Sequence, residues 1–379
     1  MSHSGTLREY NVEVSSSLAG RQAEKLSTAL IRFYSHQHQF YCGIDLHARS
    51  MFLCIMDQSG EVLLHRNYRA NPDALLSAIA PYREDIAVAV ECIFTWYWIA
   101  DLCNREGITF VLGHALYMKA IHGGKSKNDK IDSQKIAALL RSGMLPMAYV
   151  YPQGMRSTRD LLRRRLYLAR QHAELQAHIQ NTNTQYNLPY FEKRIDCRSN
   201  RASIGLRFTD PVVRTSVEVD AALMDALHEQ ILAIERQINA QVPEHDPVAV
   251  HLLRSIPGVG KILALVILYE IHDISRFPAV GNFVSYARLV KCTHESGGKR
   301  KTGPNNKIGN VHLKWAFSEA ACLFLRRNER GKLYHQRLVS KYGKAKALSI
   351  IAQKLGRTVY TMLKRRTPYD ARQFFETVG

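Results

Sequence analysis

Four acidic residues in the first part of the chain have the types and spacing that metal-dependent phosphate chemistry needs. Asp45 closes the apolar run FYCGID, Glu91 closes the apolar run IAVAVE, and Asp129 and Asp132 lie one helical turn apart in KNDKIDSQKIAALL. A carboxylate at the end of a buried strand is costly unless it is paired or binds a metal. The four acids therefore predict an oxygen-rich pocket for Mg²⁺, with Mn²⁺ as a possible substitute. Two ions about 3.5–4 Å apart would activate a nucleophile and stabilise a leaving oxygen.

Each acid also has an ordinary structural interpretation. Asp129 could cap a helix, and Asp132 could be an acid of its first turn. Glu91 could pair with an arginine, and Asp45 could belong to a turn before LHARS. The catalytic interpretation depends on all four acids occurring in order within one α/β domain of a basic chain.

A second group of residues with possible chemistry surrounds Ser296 in HESGGKRKTGPNNKIGN. Two glycines follow this serine, and Lys299, Arg300 and Lys301 come directly after them. A serine in a glycine-flanked loop is sterically open, and nearby cations can hold a phosphate and stabilise its transfer. Taken alone, Ser296 is more often an ordinary loop serine.

Two further motifs could contact nucleic acid. The segment IPGVG has helix-hairpin-helix character, because Gly258 and Gly260 let backbone N–H groups approach a phosphate where Lys261 opens a helix. An αα turn without a ligand is the alternative. The other motif is the run Arg163, Arg164 and Arg165. It is either a solvated helix face or a series of contacts to a phosphate backbone.

The elements that position these groups divide the chain into several parts. Residues 1–37 are polar and form an N-terminal arm, helical in part. Residues 38–150 begin with three apolar runs separated by a turn at 58–60, which is typical of a β-meander. The runs IAVAVE and ITFVLG then alternate with helical patterns. This alternation predicts an α/β sheet.

The rest of the chain is helical by its spacing. Residues 151–245 contain two amphipathic stretches, from Met155 to about Asn187 and from Asp220 to Val242, which predict a long antiparallel coiled-coil hairpin. Residues 246–379 predict an all-α C-terminal domain.

The composition favours a polyanionic partner. The chain has 379 residues, 46% of them hydrophobic, and a net charge of +19, so it is not a disordered protein and nucleic acid is the first partner to consider. Seven cysteines without a CxxC pair argue for a reducing compartment and against a zinc module. We find neither a signal peptide nor a membrane-spanning run, which predicts a cytoplasmic protein.

The first part of the chain resembles a known family. GIDLHARSMFLCIMD, VECIFTWYWIADLC and KNDKIDSQKIAALL resemble the RuvC-like domain of the DEDD transposases of insertion-sequence family 110, which also includes the Piv DNA invertases. The family's acidic set corresponds to Asp45, Glu91, Asp129 and Asp132. The resemblance implies a ribonuclease H-like (RNase H-like) fold for residues 38–150.

The last part resembles the C-terminal transposase domain of the same family. The family's nucleophilic serine corresponds to Ser296. Three positions differ from the family pattern: Arg288 stands where glycine is usual, Asn306 where a second serine would stand, and Lys314 where arginine is usual. The change at Asn306 leaves Ser296 as the nucleophile, and Arg288 raises a question about the backbone there.

The resemblance implies a transposase, that is, a site-specific DNA recombinase of an insertion sequence. Such an enzyme cuts and rejoins donor and target DNA through a phosphoserine intermediate. A non-coding bridge RNA, assembly of dimers into a tetramer, and a place at the bacterial nucleoid are implied in the same way. No ATP is needed, and the chain has no GxxxxGK[ST] loop.

Three alternatives stay open. A Holliday junction resolvase would use the same four acids with water as the nucleophile. A Piv-like invertase would recombine DNA without a guide RNA. A non-enzymatic nucleic-acid binder would not need the acids. The presence of all four acids argues against this alternative.

Overall fold

The three apolar runs at the start of the α/β part form an antiparallel meander, as their pattern predicts. Strand β1 (Phe40–Leu46) pairs with β2 (Ser50–Asp57), and β2 pairs with β3 (Val62–Arg69). The β2–β3 turn passes through Gly60 at φ 95°, a value that glycine adopts without strain. The carboxylate of Asp57 accepts a hydrogen bond from the Gly60 N–H and closes this turn.

Two parallel strands complete a five-stranded sheet of order β3-β2-β1-β4-β5. Strand β4 (Ile86–Glu91) pairs with β1, and β5 (Thr109–Gly113) pairs with β4. Every residue of β4 before Glu91 is buried, as expected for a central strand covered on both faces. The expectation of a mixed α/β domain is therefore confirmed.

The structure is a computed structural model that describes residues 32–121, 128–241, 246–291, 293–296, 299–302, 308–326 and 328–376. The chain divides into two compact units, Met1–Gln153 and Gly154–Gly379. Most of the expected N-terminal arm lies outside the described residues. At its end, the Tyr34 N–H donates to the Leu145 carbonyl over 3.1 Å.

Helices cover both faces of the sheet in the first unit. Leu75 and Ile99 pack on one face together with Ile44, whereas Ile136 packs on the other face with Tyr41. The helices are α1 (Pro72–Ile79), α2 (Tyr97–Arg105), α3 (Ala115–Ile121) and α4 (Asp129–Arg141).

Two long helices begin the second unit and run antiparallel. They are α5 (Gln153–Gln185) and α6 (Pro211–Gln241). Near one end, Arg165 Nη2 lies 2.7 Å from Glu235 Oε1. Helix α6 begins well before the expected Asp220, because a proline in the first turn is already set to a helical φ. A coiled-coil packing of the two helices stays a prediction.

The remaining helices surround a core of their own. Phe283, Phe317 and Ile351 are buried in it, and Leu162 of α5 and Ile238 of α6 join them. The expected border between residues 245 and 246 therefore lies inside one compact unit. The helices are α7 (Pro247–Arg254), α8 (Lys261–Ile271), α9 (Val280–Tyr286), α10 (Val311–Arg326), α11 (Glu329–Tyr342), α12 (Lys344–Arg365) and α13 (Ala371–Glu376). Among the described helices, none combines the length and apolar character needed to cross a lipid bilayer.

The expectation of an all-α C-terminal part is wrong at one place. Strands β6 (Thr293–Ser296) and β7 (Lys299–Thr302) pair antiparallel. Neither strand contains the alternating apolar residues that usually indicate a β-strand, so the hydrophobic spacing does not predict them. The Gly-Gly sequence between them is, however, a common hairpin connection.

Candidate active site

Strand β1 brings Asp45 to its C-terminal end, where the sheet meets solvent. The backbone N–H of His47 donates to the carbonyl of Ser50 over 2.8 Å and closes the turn into β2. Successive side chains of an extended chain alternate in direction, so the two-residue step directs Asp45 and His47 to the same side. The local chain thus presents a carboxylate and an imidazole together.

Helix α4 lies unusually close to β1 because Gly43 has no side chain. A Cβ on Gly43 would lie 2.2 Å from the amide nitrogen of Ala137 and 2.3 Å from the carbonyl oxygen of Ser133. This backbone contact seats α4 on the sheet. It places the first turn of α4, with Asp129, near the end of β1 that carries Asp45.

Asn128 provides the N-terminal cap of α4. Its side-chain oxygen accepts a hydrogen bond from the Ile131 N–H over 2.8 Å. The capping interpretation of Asp129 is therefore wrong. Because Asn128 satisfies the end of the helix, the Asp129 carboxylate can take part in other contacts.

Asp45, His47 and Asp129 meet at this corner of the sheet. His47 Nε2 lies 3.5 Å from Asp45 Oδ2 and 3.3 Å from Asp129 Oδ2. One ligand atom from each of the three lies within 4.8 Å of the others. The Asp45 side chain is 14% exposed and that of Asp129 is 54% exposed, so the group lies at a surface a substrate can reach. Two carboxylates and one imidazole at this spacing suit a divalent metal.

Glu91 and Asp132, the other two predicted acids, lie outside this three-residue group. Glu91 ends β4, and the parallel register of β4 with β1 puts it at the same edge of the sheet as Asp45. Asp132 accepts a hydrogen bond from Lys135 over 3.3 Å on the surface of α4. All four acids therefore belong to one end of the sheet and one helix start, as the sequence predicts. The described contacts join two of them, Asp45 and Asp129, through His47.

His47 is not among the site residues predicted from the sequence. It lies two positions after Asp45. A histidine two residues past a strand-terminal acid could have indicated a shared site. Its position between Asp45 and Asp129 depends on α4, which follows much later in the chain.

In the second unit, the backbone of Ser296 ends strand β6. It pairs with Lys299, the first residue of β7, at the closed end of this hairpin. Arg300 and Lys301 continue β7. The side chains of these residues are outside the description, so the predicted roles of Ser296 and the three cations stay predictions.

The base of the segment that carries Ser296 is fixed by one hydrogen bond between backbone groups and one from a side chain to the backbone. The Asn310 N–H donates to the Tyr286 carbonyl over 2.6 Å, and Arg288 Nε donates to the Ile308 carbonyl over 3.0 Å. Arg288 adopts φ 55°, a left-handed conformation that suits glycine. The backbone there has the shape that a glycine would favour, and the arginine side chain uses it to bridge the two ends of the segment.

A buried ion cluster lies beneath this base. Glu270 is 2% exposed and receives hydrogen bonds from Arg163 over 2.6 Å and from Asn310 over 2.7 Å, with Arg159 also bonded to it. Burial alone would raise the pKa of the Glu270 carboxyl. The bond from Arg163, the charges of both arginines and the bond from Asn310 outweigh burial and hold this pKa at about 2. The Asn310 side-chain oxygen also accepts from the N–H of Leu313 and caps α10.

The three consecutive arginines have different surroundings. Arg163 binds Glu270, and Arg165 binds Glu235, so both are engaged inside the second unit. Arg164 is exposed and lies 5.4 Å from the centre of the Tyr167 ring. A continuous phosphate contact along the run conflicts with this arrangement, because two of the three charges already face carboxylates. The nucleic-acid prediction for this run therefore rests on Arg164.

The IPGVG turn joins α7 to α8. Gly258 has φ 84°, and a Cβ on it would lie 2.5 Å from the backbone of Leu323. This glycine is needed for packing on α10, which is a structural reason that does not involve phosphate. Gly260 and Lys261 are exposed at the start of α8, where backbone N–H groups are open to a ligand. Phosphate binding at Gly260 and Lys261 stays a prediction.

Comparison with known proteins gives matches to both parts of the chain. A family model of DEDD transposases of IS110 matches residues 42–188, and a model described as the transposase IS116/IS110/IS902 family matches residues 250–336. The chain is 32% identical over 154 residues to an insertion element IS110 uncharacterized 43.6 kDa protein of Streptomyces coelicolor. That match covers 40% of this chain and 37% of the Streptomyces protein.

A longer match runs over most of the molecule. The chain is 24% identical over 344 residues to the transposase for insertion sequence element IS1111A of Coxiella burnetii, covering 86% of this chain and 90% of that protein. The two family models match in order: the first covers the acidic group and continues through α5, and the second covers Ser296. The chain therefore belongs to the IS110 family of transposases, a family of enzymes that cleave DNA and transfer its strands.

Proposed function

We propose that this chain cuts and rejoins DNA as the recombinase of an insertion sequence. The observation that carries the proposal is the meeting of Asp45, His47 and Asp129 at the end of a central strand. A basic chain attracts DNA, and an acidic group on such a chain needs a cation to approach a phosphate. A DNA-cleaving site of the RuvC-like kind accounts for both features.

A divalent metal, Mg²⁺ or Mn²⁺, fits the donors of this group. Asp45 and Asp129 would hold it, with His47 as a third donor and with Glu91 and Asp132 beside them. Carboxylate oxygens favour these ions, and the single imidazole is compatible with Mn²⁺. When bound, such an ion neutralises charge on the scissile phosphate and on the leaving oxygen. Without a cation, the two carboxylates would repel the same phosphate.

We further propose that Ser296 is the nucleophile. Its Oγ attacks the phosphorus, the bond from phosphorus to the 3′ oxygen breaks, and a phosphoserine ester forms. The hydroxyl proton of the serine passes to a base, and the released 3′ oxygen takes up a proton. Attack by a 3′ hydroxyl of the exchanged strand then re-forms a DNA phosphodiester and frees the serine. The number of phosphoester bonds is unchanged, so ATP is not required.

Two features of the backbone support this role for Ser296. Its backbone pairs with that of Lys299, the first of three consecutive basic residues in the sequence. Both ends of its segment are fixed through Tyr286 and Arg288. A nucleophile benefits from such a fixed base, because misplacement by about 1 Å can cost about a hundredfold in rate.

The test is to trap a covalent adduct and identify the linked residue. Full-length protein is incubated with Mg²⁺ and DNA that carries an end of the element, and SDS-resistant complexes are digested and sequenced. Ser296→Ala should abolish the adduct, and Asp132→Asn should slow cleavage. Ser318→Ala, at an exposed position of α10, should change neither.

The outcomes separate the possible reactions. If Ser296→Ala still cleaves and Asp132→Asn does not, the protein is a resolvase-type nuclease that uses water. If cleavage survives in both variants, the proposed site is wrong.

We propose that the partners are donor and target DNA and a non-coding bridge RNA. The proposed assembly is a tetramer built as a dimer of dimers, and it acts at the bacterial nucleoid. The net charge of +19 supports polyanionic partners. Sequencing of RNA that co-purifies with the protein tests the guide, and light scattering tests the assembly. Recombination that survives nuclease removal of RNA would instead favour a Piv-like invertase.

A further inference from the structure

In one long stretch near the end of the chain, every lysine, arginine, aspartate or glutamate position is occupied by a lysine or an arginine. Residues 330–369 contain 11 lysines and arginines and no aspartate or glutamate. They form most of α11 and all of α12. Protein surfaces usually mix both signs of charge, so a stretch of this length with one sign indicates an anionic partner.

On α11 the exposed cations share one face. Arg330, Arg337 and Lys341 are separated by seven and four residues, and all three are exposed. At 100° per residue these steps keep them within about 20° of a common line along the helix. Tyr334 and Leu338, which pack against the core, lie about 40° and 80° around the helix from Arg330, so the line of cations borders the core-facing side of α11.

On α12 a second line of exposed cations has the same property. Lys346, Arg357 and Lys364 are separated by eleven and seven residues, and all are exposed. Their directions differ by about 20° or less. Ile351 and Leu355 are buried on the opposite side of the helix. The core side is therefore apolar and the solvent side is positively charged.

The two lines meet at the turn between the helices. Lys341 Nζ lies 5.3 Å from the centre of the Tyr342 ring, and Lys346 Nζ lies 4.8 Å from the same ring. The end of one line and the start of the other thus share one tyrosine. The two lines are joined at this tyrosine, and we name their six residues the basic strip: Arg330, Arg337, Lys341, Lys346, Arg357 and Lys364.

Two other cations of the stretch bind carboxylates and lie off the strip. Lys332 Nζ lies 2.6 Å from Glu329, and Arg366 Nη1 lies 2.6 Å from Asp246. The charges of the strip, in contrast, project from exposed positions. At one outer end of the strip, the Arg330 guanidinium also lies over the Phe375 ring, 5.1 Å from the centre of the ring.

We propose that the basic strip binds the phosphate backbone of duplex DNA. This rests on the proposed function and adds a binding surface outside the predicted site residues. The α12 line is about 27 Å long at 1.5 Å per residue, which spans about eight base pairs. Surfaces for single strands add exposed aromatic rings on which bases stack. Tyr342, beside the strip, is exposed, but the ammonium groups of Lys341 and Lys346 lie over its ring where a base would stack, so the strip fits a duplex backbone.

The experiment measures binding of the full-length chain to a fluorescent 30-base-pair duplex of random sequence, from low to high KCl. The strip variant combines Arg337→Gln, Lys341→Gln, Lys346→Gln and Arg357→Gln. A control variant removes the same number of charges from exposed positions elsewhere: Arg105→Gln, Arg170→Gln, Lys193→Gln and Arg236→Gln. Circular dichroism checks that both variants are folded.

We expect the strip variant to lose at least about tenfold in affinity near 0.15 M salt. The slope of log affinity against log salt should fall by about 3–4, because each lost phosphate contact removes about 0.9. The control should change by less than about threefold. Equal losses in the two variants or an unchanged slope in the strip variant would each overturn the inference. So would a loss of affinity for an RNA hairpin, titrated in parallel, without any loss for the duplex. Failure of the unmodified protein to bind duplex DNA would also overturn the inference, whereas the proposed function is decided by the covalent adduct at Ser296.

Discussion

The backbones of Gly43 and Ala137 approach so closely that a Cβ on Gly43 would lie 2.2 Å from the amide nitrogen of Ala137. This contact decides how far α4 stands from the sheet. Asp129 is carried by the first turn of α4, and Asp45 by the strand that contains Gly43. A glycine inside a strand therefore sets the spacing of the two carboxylates.

Gly43→Ala should destabilise the protein and widen the acidic group. Helix α4 must move outward to make room for the methyl group, at a cost of about 1–3 kcal/mol in the free energy of unfolding. Binding of Mn²⁺ should weaken as Asp129 moves away from Asp45. Thermal unfolding and calorimetric titration measure the two effects.

A matched control for this change is Gly154→Ala. Nothing lies within 4 Å of a Cβ at Gly154, which occupies the first turn of α5. Alanine there should be neutral or stabilise by up to about 1 kcal/mol. If Gly43→Ala behaves like this control, the close contact between β1 and α4 does not set the site.

The sequence predicts the parts of the site that depend on local patterns. Asp45 and Glu91 each close an apolar run, and the end of such a run marks the end of a strand. The start of α4 follows from its apolar spacing after Asp129. These signals lie within a few residues of the groups concerned, so they can be read without knowledge of the packing.

The parts that escape prediction depend on contacts between distant segments. Arg163 reads as a surface cation until Glu270, more than a hundred positions later, is brought beside it. His47 acquires its role only when α4 lies on the sheet. The hairpin at Ser296 has no apolar face of its own, so hydrophobic periodicity could not reveal it.

His47→Ala should weaken the binding of Mn²⁺ by about tenfold. The imidazole is one of three donors within 4.8 Å of one another, and its removal leaves the ion with one ligand fewer from this group. Asp129→Asn should have a larger effect, because it removes a charged donor. His251→Ala, at an exposed position of α7, is the control and should leave titration with Mn²⁺ unchanged. Unchanged or tighter binding by His47→Ala would show that the imidazole is not a ligand of the metal.

Glu270 should make the stability of the second unit sensitive to acid. Its pKa in the folded chain is about 2, below the ordinary value of 4.5. A lowered folded pKa means that the stabilisation is complete above about pH 5 and is lost as pH falls from about 4.5 to about 2. The loss is of the order of 3 kcal/mol. Urea unfolding of the full chain between pH 2.5 and 7 measures it.

Glu270→Gln removes this acid dependence at the expense of stability at neutral pH. It leaves Arg159 and Arg163 without their buried counter-charge, which should cost about 3–5 kcal/mol at pH 7. The comparison variant is Glu235→Gln, which breaks the more exposed pair with Arg165 and should cost about 1 kcal/mol or less. Similar losses in the two variants would contradict the role of burial.

Arg288 offers a way to separate backbone strain from the positioning of Ser296. The left-handed φ of 55° is strained for an arginine, and the side chain donates a hydrogen bond to the Ile308 carbonyl across the base of the serine segment. Arg288→Ala keeps the strained conformation and loses the hydrogen bond. Arg288→Gly loses the same bond but relieves the strain, so it should be more stable than Arg288→Ala by about 1 kcal/mol.

The rate of adduct formation should depend on the hydrogen bond from Arg288 to Ile308 and not on the backbone strain at Arg288. Both variants at 288 should form the covalent DNA adduct more slowly, although their stabilities differ, because both release the end of the segment that carries Ser296. Asn187→Gly is the control, since Asn187 has φ 51° at a place remote in sequence from the serine. Its stability should change while its rate of adduct formation does not. If the adduct forms at the normal rate in Arg288→Gly but slowly in Arg288→Ala, backbone strain and not the bridge to Ile308 governs the segment.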